Sequence, residues 1–161
     1  MPMAANDSKM LARFRLFVLL AAAASTPAAH AEETRACAFE VKARCVSGDV
    51  RVTLDAGRVT RVEVNVDWCS LRGPGYSCTI DSSRGDRDSL WSDDAGATVI
   101  ANVSPWNPNA PDRVKVTVGR EVSIDLQEAQ SLGRCGAGAA LPRAIVVPAQ
   151  KGACRVQLPA P

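Results

Sequence analysis

Six cysteines are the residues of this chain whose chemistry is easiest to anticipate. They are Cys37, Cys45, Cys69, Cys78, Cys135 and Cys154. An even set of cysteines forms disulfides in an oxidising compartment, whereas zinc binding requires close pairs such as C-x-x-C. The shortest gaps here are seven and eight residues, and the one histidine, His30, precedes all six cysteines. The pattern therefore predicts three disulfides, no metal site and no cofactor.

Two of the cysteines flank a tip rich in glycine and proline. Residues 62–69 alternate as a strand does, residues 70–75 read Ser-Leu-Arg-Gly-Pro-Gly, and residues 76–81 resume the alternation. This arrangement predicts a hairpin closed by a Cys69–Cys78 bridge. Cys69 follows the inward-facing Trp68, whereas Cys78 shares the phase of the apolar side chains on its own strand. We therefore expect Cys69 to lie beyond the strand end or at a bulge.

Strand geometry also limits how the other four cysteines can pair. Cys37 and Cys45 belong to one alternating run, and a straight strand would hold them about 26 Å apart at roughly 3.3 Å per residue. A disulfide tolerates Cα atoms only up to about 7 Å apart. Cys37 and Cys45 are therefore expected to pair with Cys135 and Cys154, in either of two orders.

Catalytic groups are scarce. With no histidine after residue 30, neither a Ser-His-Asp nor a Cys-His arrangement can form in the domain that follows. Paired carboxylates at roughly 5 to 10 Å could hydrolyse a glycosidic bond, and four aspartates at strand ends are candidates for such a pair: Asp67, Asp81, Asp93 and Asp94. Exposed aspartates at strand ends are also commonplace, so an enzyme is not the favoured reading.

Binding residues are sought among aromatic side chains in polar segments. Trp91 follows a polar stretch and Trp106 stands among prolines, where an indole can serve recognition. Asp93 and Asp94, two and three residues after Trp91, complete the predicted binding set. Residues 81–94 hold five acids and two bases, but their spacing departs from that of a calcium loop, so cation binding there stays open.

The first 31 residues have the pattern of a cleavable secretory signal. Lys9, Arg13 and Arg15 are followed by an apolar run over residues 16–24, and Ala29-His30-Ala31 is a small-x-small cleavage site. The run is shorter than the roughly 20 residues that a membrane span needs. The interpretation is a signal peptide over residues 1–31 and one domain over residues 32–161, in the periplasm or secreted.

The net charge of the chain does not indicate a polyanionic partner. The formal net charge of +2 is contributed by residues 1–31, which hold three Lys or Arg and one Asp. The remaining domain is formally neutral, so nucleic acid is not expected as a partner. The mature domain is not expected to span a membrane.

Short alternating runs separated by turns predict an all-β domain. We expect a small antiparallel β-sandwich or barrel of about eight or nine strands, tied by disulfides and with at most one short helix, over residues 126–132. A change of phase near Thr60-Arg61 predicts a β-bulge, and the valines around Gly119 predict a three-residue hairpin loop. Residues 47–49 and 55–58 are expected as turns, and residues 81–89 as a polar loop.

These features favour a non-catalytic function. The expectation is an exported binding module or protein inhibitor whose partner is an envelope or extracellular protein or a glycan. A structural envelope protein is the alternative, and a carboxylate-dependent hydrolase is a further one. The target, the choice between periplasm and medium, and the oligomeric state stay open.

Overall fold

The computed structural model describes residues 31–69, 75–102, 109–131, 134–135 and 139–160. Strands dominate these residues, and their bounds are β1 (Glu33–Val41), β2 (Val46–Asp55), β3 (Arg58–Trp68), β4 (Tyr76–Ser83), β5 (Ser89–Asp94), β6 (Ala97–Asn102), β7 (Arg113–Val118), β8 (Val122–Asp125), β9 (Ala144–Val147) and β10 (Arg155–Gln157). A 3-10 turn, Lys42–Arg44, follows β1. The predicted all-β class is confirmed, with ten strands where about eight or nine were expected.

Two antiparallel sheets form a sandwich. One has the order β1-β2-β3-β4, the other the order β10-β9-β8-β7-β6-β5, and every neighbouring pair is antiparallel. Each sheet is thus a meander, and the chain changes sheet once, between Ser83 and Ser89. One core of branched aliphatic side chains fills the space between the inner faces, including Val52, Val62, Val64, Val66, Ile100, Val114, Val116, Ile124 and Ile145. The period-two alternation places these residues inward.

The predicted bulge lies in β3. Thr53 pairs with Arg61 and Leu54 with Val59, so Thr60 is the extra residue. Its hydroxyl donates to the carbonyl oxygen of Thr53 at 3.2 Å. The insertion lets both Val59 and Val62 reach the core, although one is at an odd and the other at an even position.

Hairpin turns follow the predicted spacing in two places. Val118 pairs with Val122 across a loop of three residues, as expected. The turn at residues 55–58 has Ala56 and Gly57 at φ 48° and 78°, the conformation of a type I′ turn. A second Asp-Ala-Gly segment forms the β5–β6 turn in the same way, with Ala95 at φ 43°.

The disulfides are Cys37–Cys154, Cys45–Cys69 and Cys78–Cys135. All six cysteines are bonded, as predicted, but the Cys69–Cys78 bridge is wrong. The expected pairing of Cys45 with Cys135 or Cys154 is wrong as well, whereas Cys37 does pair with Cys154, one of its two expected partners. Cys69 lies beyond the end of β3 and donates its N–H to the carbonyl oxygen of Cys45 at 3.0 Å. Cys78 is buried on the inner face opposite Val66. Cys69 is exposed whereas Cys78 is buried, in line with the opposite phases of the two residues in the sequence.

The first alternating run ends earlier than its pattern indicates. β1 stops at Val41, and the 3-10 turn with Cys45 in the left-handed region (φ 50°) reverses the chain. Residues 47–49, predicted as a turn, therefore belong to β2, with Gly48 directly opposite Phe39. A Cβ on Gly48 would lie 2.6 Å from the Phe39 ring, so glycine leaves room for the aromatic side chain that covers it.

The remaining expectations concern a short helix, a polar loop and two segments outside the described residues. The short helix over residues 126–132 is wrong for its described part: residues 126–131 form a turn in which the N–H of Ala129 donates to the carbonyl oxygen of Leu126 at 3.0 Å. Residues 81–83, expected in a loop, extend β4. The predicted signal peptide, apart from Ala31, and residues 70–74 of the predicted tip lie outside the described residues.

Candidate functional site

A charged cluster marks the place where the chain changes sheet. Asp93 on β5 accepts hydrogen bonds from Arg84 at 2.8 and 3.1 Å, from Arg58 at 3.0 Å and from the Thr98 hydroxyl at 2.8 Å. Arg84 also donates through Nε to the carbonyl oxygen of Val59 at 3.1 Å. We call Arg58, Arg84, Asp93 and Thr98 the crossover cluster. It joins the start of β3 to β5 and β6 across the two sheets.

The crossover cluster stabilises the ionised form of its carboxylate. Hydrogen bonds from Arg84, Thr98 and Arg58 lower the pKa of Asp93 to about 2, although the side chain remains partly open to solvent. A carboxyl group held ionised by two guanidinium groups is a poor general acid, since that role requires a raised pKa. The arrangement indicates a structural clamp.

Trp91 lies next to this cluster and is half-buried. It sits in strand β5 and not in a polar loop, which corrects its predicted placement. Its indole N–H donates to the Ser89 hydroxyl at 2.9 Å, and the Arg84 guanidinium carbon lies 5.1 Å from the ring centroid. The ring packs against the core beneath a cation–π contact. The ring thus contacts both the core and Arg84.

The other two predicted binding residues have separate locations. Asp94 follows Asp93 on β5 and therefore points to the opposite side, away from the core. Trp106 lies outside the described residues. The structure thus brings Trp91 and Asp93 together. Asp94 shares a cavity of about 450 Å³ with Asp93 and Arg58, and it also lines a second surface on the other side of β5.

That surface is the outer face of the six-stranded sheet. It carries a groove of about 610 Å³ across β5 to β8, which we call the outer groove. Its lining residues are Ser92, Asp94, Val99, Ala101, Arg113, Lys115, Asp125, Gln127 and Glu128. Val99 and Ala101 on β6 supply apolar surface in the middle. Carboxylates and cationic side chains surround them, so both signs of charge are present.

An exposed leucine lies beside the outer groove. Leu90 is 71% exposed and pairs with Ala101 of the groove across the β5–β6 ladder. β5 is the last strand of its sheet, and in the described part of the chain its backbone hydrogen bonds are all made to β6. An open edge next to an exposed aliphatic side chain is a surface on which another chain can pair. Sequence reasoning missed Leu90 because it searched for aromatic side chains.

A buried ion pair was also missed. The Asp112 side chain is 2% exposed and accepts hydrogen bonds from Arg134 at 2.5 and 2.9 Å and from the backbone N–H of Gln130 at 3.0 Å. Asp112 immediately precedes β7, while Arg134 lies in the long connection between β8 and β9. The pair fastens that connection to the sheet end. No local pattern links an isolated aspartate to an arginine 22 residues later.

The described acidic residues form ion pairs and no metal site. Among the residues that the structure describes, no group of three or more His, Cys, Asp or Glu side chains is placed to hold an ion. Asp81 pairs instead with Arg61 at 3.0 Å. In the same part of the chain, no helix is long and apolar enough to cross a membrane.

Comparison with known proteins gives no relative: no family model, no curated protein and no solved structure matches the chain. The chemistry of the site therefore rests on its own geometry. Three disulfides with no free cysteine among the described residues indicate that the protein folds in an oxidising compartment.

Proposed function

We propose that this protein is an exported, non-catalytic binding module. It presents the outer groove and the adjoining edge of β5 to a protein of the cell envelope or the surrounding medium. The observation that carries this proposal is the exposure of Leu90 beside a groove with an apolar centre and charged walls. Protein interfaces commonly combine an apolar centre with a polar rim.

The contacts of the candidate aspartates favour a binding function over catalysis. Of the aspartates considered as hydrolytic groups, Asp93 is held ionised by Arg84 and Arg58, and Asp81 is paired with Arg61. A glycosidase needs one carboxyl group with a raised pKa and a second facing it across the substrate. The lowered pKa of Asp93 supports a structural role for that residue, and binding is the activity that we propose for the domain.

Export is part of the proposal. The signal-like residues 1–31 and the three disulfides are consistent with delivery to the periplasm or the medium. Inhibition of a target protein is one way in which such a module would act. A structural envelope protein, the alternative function, would instead be recovered in stoichiometric assemblies.

Affinity capture with the oxidised domain tests the proposal. The bait is residues 32–161 and the source is periplasm or medium from cells that express the protein. A partner that is captured should bind the Leu90→Ser variant at least tenfold more weakly, because the substitution removes the aliphatic anchor. Tyr76→Ser is the matched control, since Tyr76 is 36% exposed on β4 of the other sheet.

The outcomes separate the candidate functions. Equal binding by wild type and Leu90→Ser would refute the assignment of the surface. Recovery of a glycan in place of a protein would correct the partner class. Turnover of a glycan or ester substrate that is lost in an Asp→Asn variant would favour the hydrolase.

A further inference from the structure

The three disulfides differ in their access to solvent. Cys37, Cys154 and Cys78 are buried in the core. Cys45 and Cys69 are both exposed, at the end of the four-stranded sheet where β1 turns into β2 and β3 ends. A disulfide is cleaved by a thiolate that must reach one sulfur along the S–S axis, so access governs the rate of exchange. Cys45–Cys69 is the bond that such a thiolate can reach.

The exposed bond opens onto a cavity of about 400 Å³. Val46 and Trp68 give this cavity apolar surface, and its charged lining residues are Lys42, Glu40 and Asp67. The cavity thus offers room for a sulfur to approach the bond.

The surrounding sheet holds the two cysteines together independently of their bond. Val46 pairs with Trp68 at the end of the β2–β3 ladder, and the N–H of Cys69 donates to the carbonyl oxygen of Cys45 at 3.0 Å. The Trp68 indole N–H also donates to the carbonyl oxygen of Ala140 at 2.9 Å, which fixes the strand end to the β8–β9 connection. Opening the bond therefore leaves two adjacent thiols on a folded scaffold.

We infer that Cys45–Cys69 is a site of thiol–disulfide exchange with a dithiol, whereas the other two disulfides are structural. The thiolate of the dithiol attacks one sulfur of the pair and forms a mixed disulfide. The Cys45–Cys69 bond breaks, and its electron pair leaves on the second sulfur, which takes up a proton. The second thiol of the dithiol then displaces the first cysteine. Two electrons have passed to this protein, which ends with two thiols while the donor ends with a disulfide.

Graded reduction of the oxidised protein tests this inference. The protein is incubated with increasing dithiothreitol at neutral pH, quenched with an alkylating reagent and mapped by peptide mass spectrometry. We expect Cys45 and Cys69 to be alkylated at least tenfold faster than the other four cysteines. The far-UV circular dichroism of the species with two thiols should match that of the oxidised protein. First labelling of another pair, simultaneous labelling of all six or loss of the sheet spectrum would overturn the inference.

A trapping experiment distinguishes a protein dithiol from a small one. A reduced C-x-x-C oxidoreductase whose second cysteine is replaced by serine should form a covalent adduct at Cys45 or Cys69. An adduct at Cys37, Cys78, Cys135 or Cys154 would overturn the inference, and so would the lack of an adduct if dithiothreitol also fails to open Cys45–Cys69 first. The site lies on the other sheet from the outer groove, so neither result depends on the proposed binding function.

Discussion

Removal of the arginine from the buried ion pair should be among the most damaging single changes in this domain. The change is Arg134→Met, which keeps much of the apolar stem and deletes the guanidinium. Asp112 would lose the two hydrogen bonds at 2.5 and 2.9 Å and keep the one from the Gln130 N–H. Its carboxylate would then remain buried without a countercharge.

The expected loss follows from this geometry. Hydrogen bonds to charged groups contribute about 1.5 to 3 kcal/mol each, and breaking a buried pair by deleting one partner costs about 3 to 5 kcal/mol. Domains of this size are stable by about 5 to 15 kcal/mol. Arg134→Met should therefore remove a large part of the free energy of unfolding and lower the Tm by roughly 10 to 20 °C.

Urea denaturation of the oxidised protein measures the effect, with all three disulfides intact in every sample. Arg51→Met is the matched control, because Arg51 is 57% exposed and lies 3.5 Å from Glu63 in a surface pair. Such a pair contributes about 0 to 1 kcal/mol. The double variant Asp112→Asn/Arg134→Met should recover part of the loss, because a neutral amide needs no countercharge.

Two outcomes would refute the reasoning. If Arg134→Met lowers the free energy of unfolding no more than Arg51→Met does, the burial of Asp112 without a countercharge does not carry the energetic penalty that we assign to it. If the double variant is less stable than Arg134→Met alone, the cost does not come from an uncompensated charge. A change in the m-value would instead indicate that the unfolding transition itself has altered.

Two further predictions concern the hairpin turns and the crossover cluster. Ala56→Asn should raise stability by about 0.5 to 1 kcal/mol, because Ala56 has a positive φ that asparagine adopts at lower cost; a lower Tm would contradict this. The folded-state pKa of Asp93 is about 2, below its usual 3.8, so its stabilising contribution is present above about pH 4 and lost as the pH falls towards 2. Solvent screening limits this contribution to about 1 kcal/mol. Asp93→Asn should therefore reduce the difference between urea midpoints at pH 5 and pH 2.5, and an unchanged difference would contradict the assignment.

Much of the fold could be predicted because strand alternation is a strict local constraint. The bulge at Thr60 and the loop before Val122 both follow from the requirement that valines return to one face after a change of phase. The same constraint showed that Cys69 and Cys78 have opposite phases. Proximity along the chain favours the Cys69–Cys78 pairing, but the phase of the two side chains in their strands predicts the pairing better.

The candidate site was predictable only in part. Asp93 belongs to the predicted binding set, but its partners Arg58 and Arg84 come from other parts of the chain, and only the packing of the two sheets brings them to it. β5 has no apolar alternation in the sequence, because this edge strand carries exposed polar side chains that weaken the pattern. The Asp112–Arg134 contact depends on long connections, whose course the local sequence does not determine.

The disulfide pattern has a consequence for how the chain must mature. The closest cysteine pairs in sequence are Cys37 with Cys45 and Cys69 with Cys78, yet neither pair is bonded. In an unfolded chain, a loop of the Cys69–Cys78 length closes about four times more often than one spanning the 24 residues from Cys45 to Cys69. Rapid oxidation would therefore accumulate mispaired species. Correct maturation requires strand pairing to precede oxidation, or an isomerase to reshuffle the early bonds.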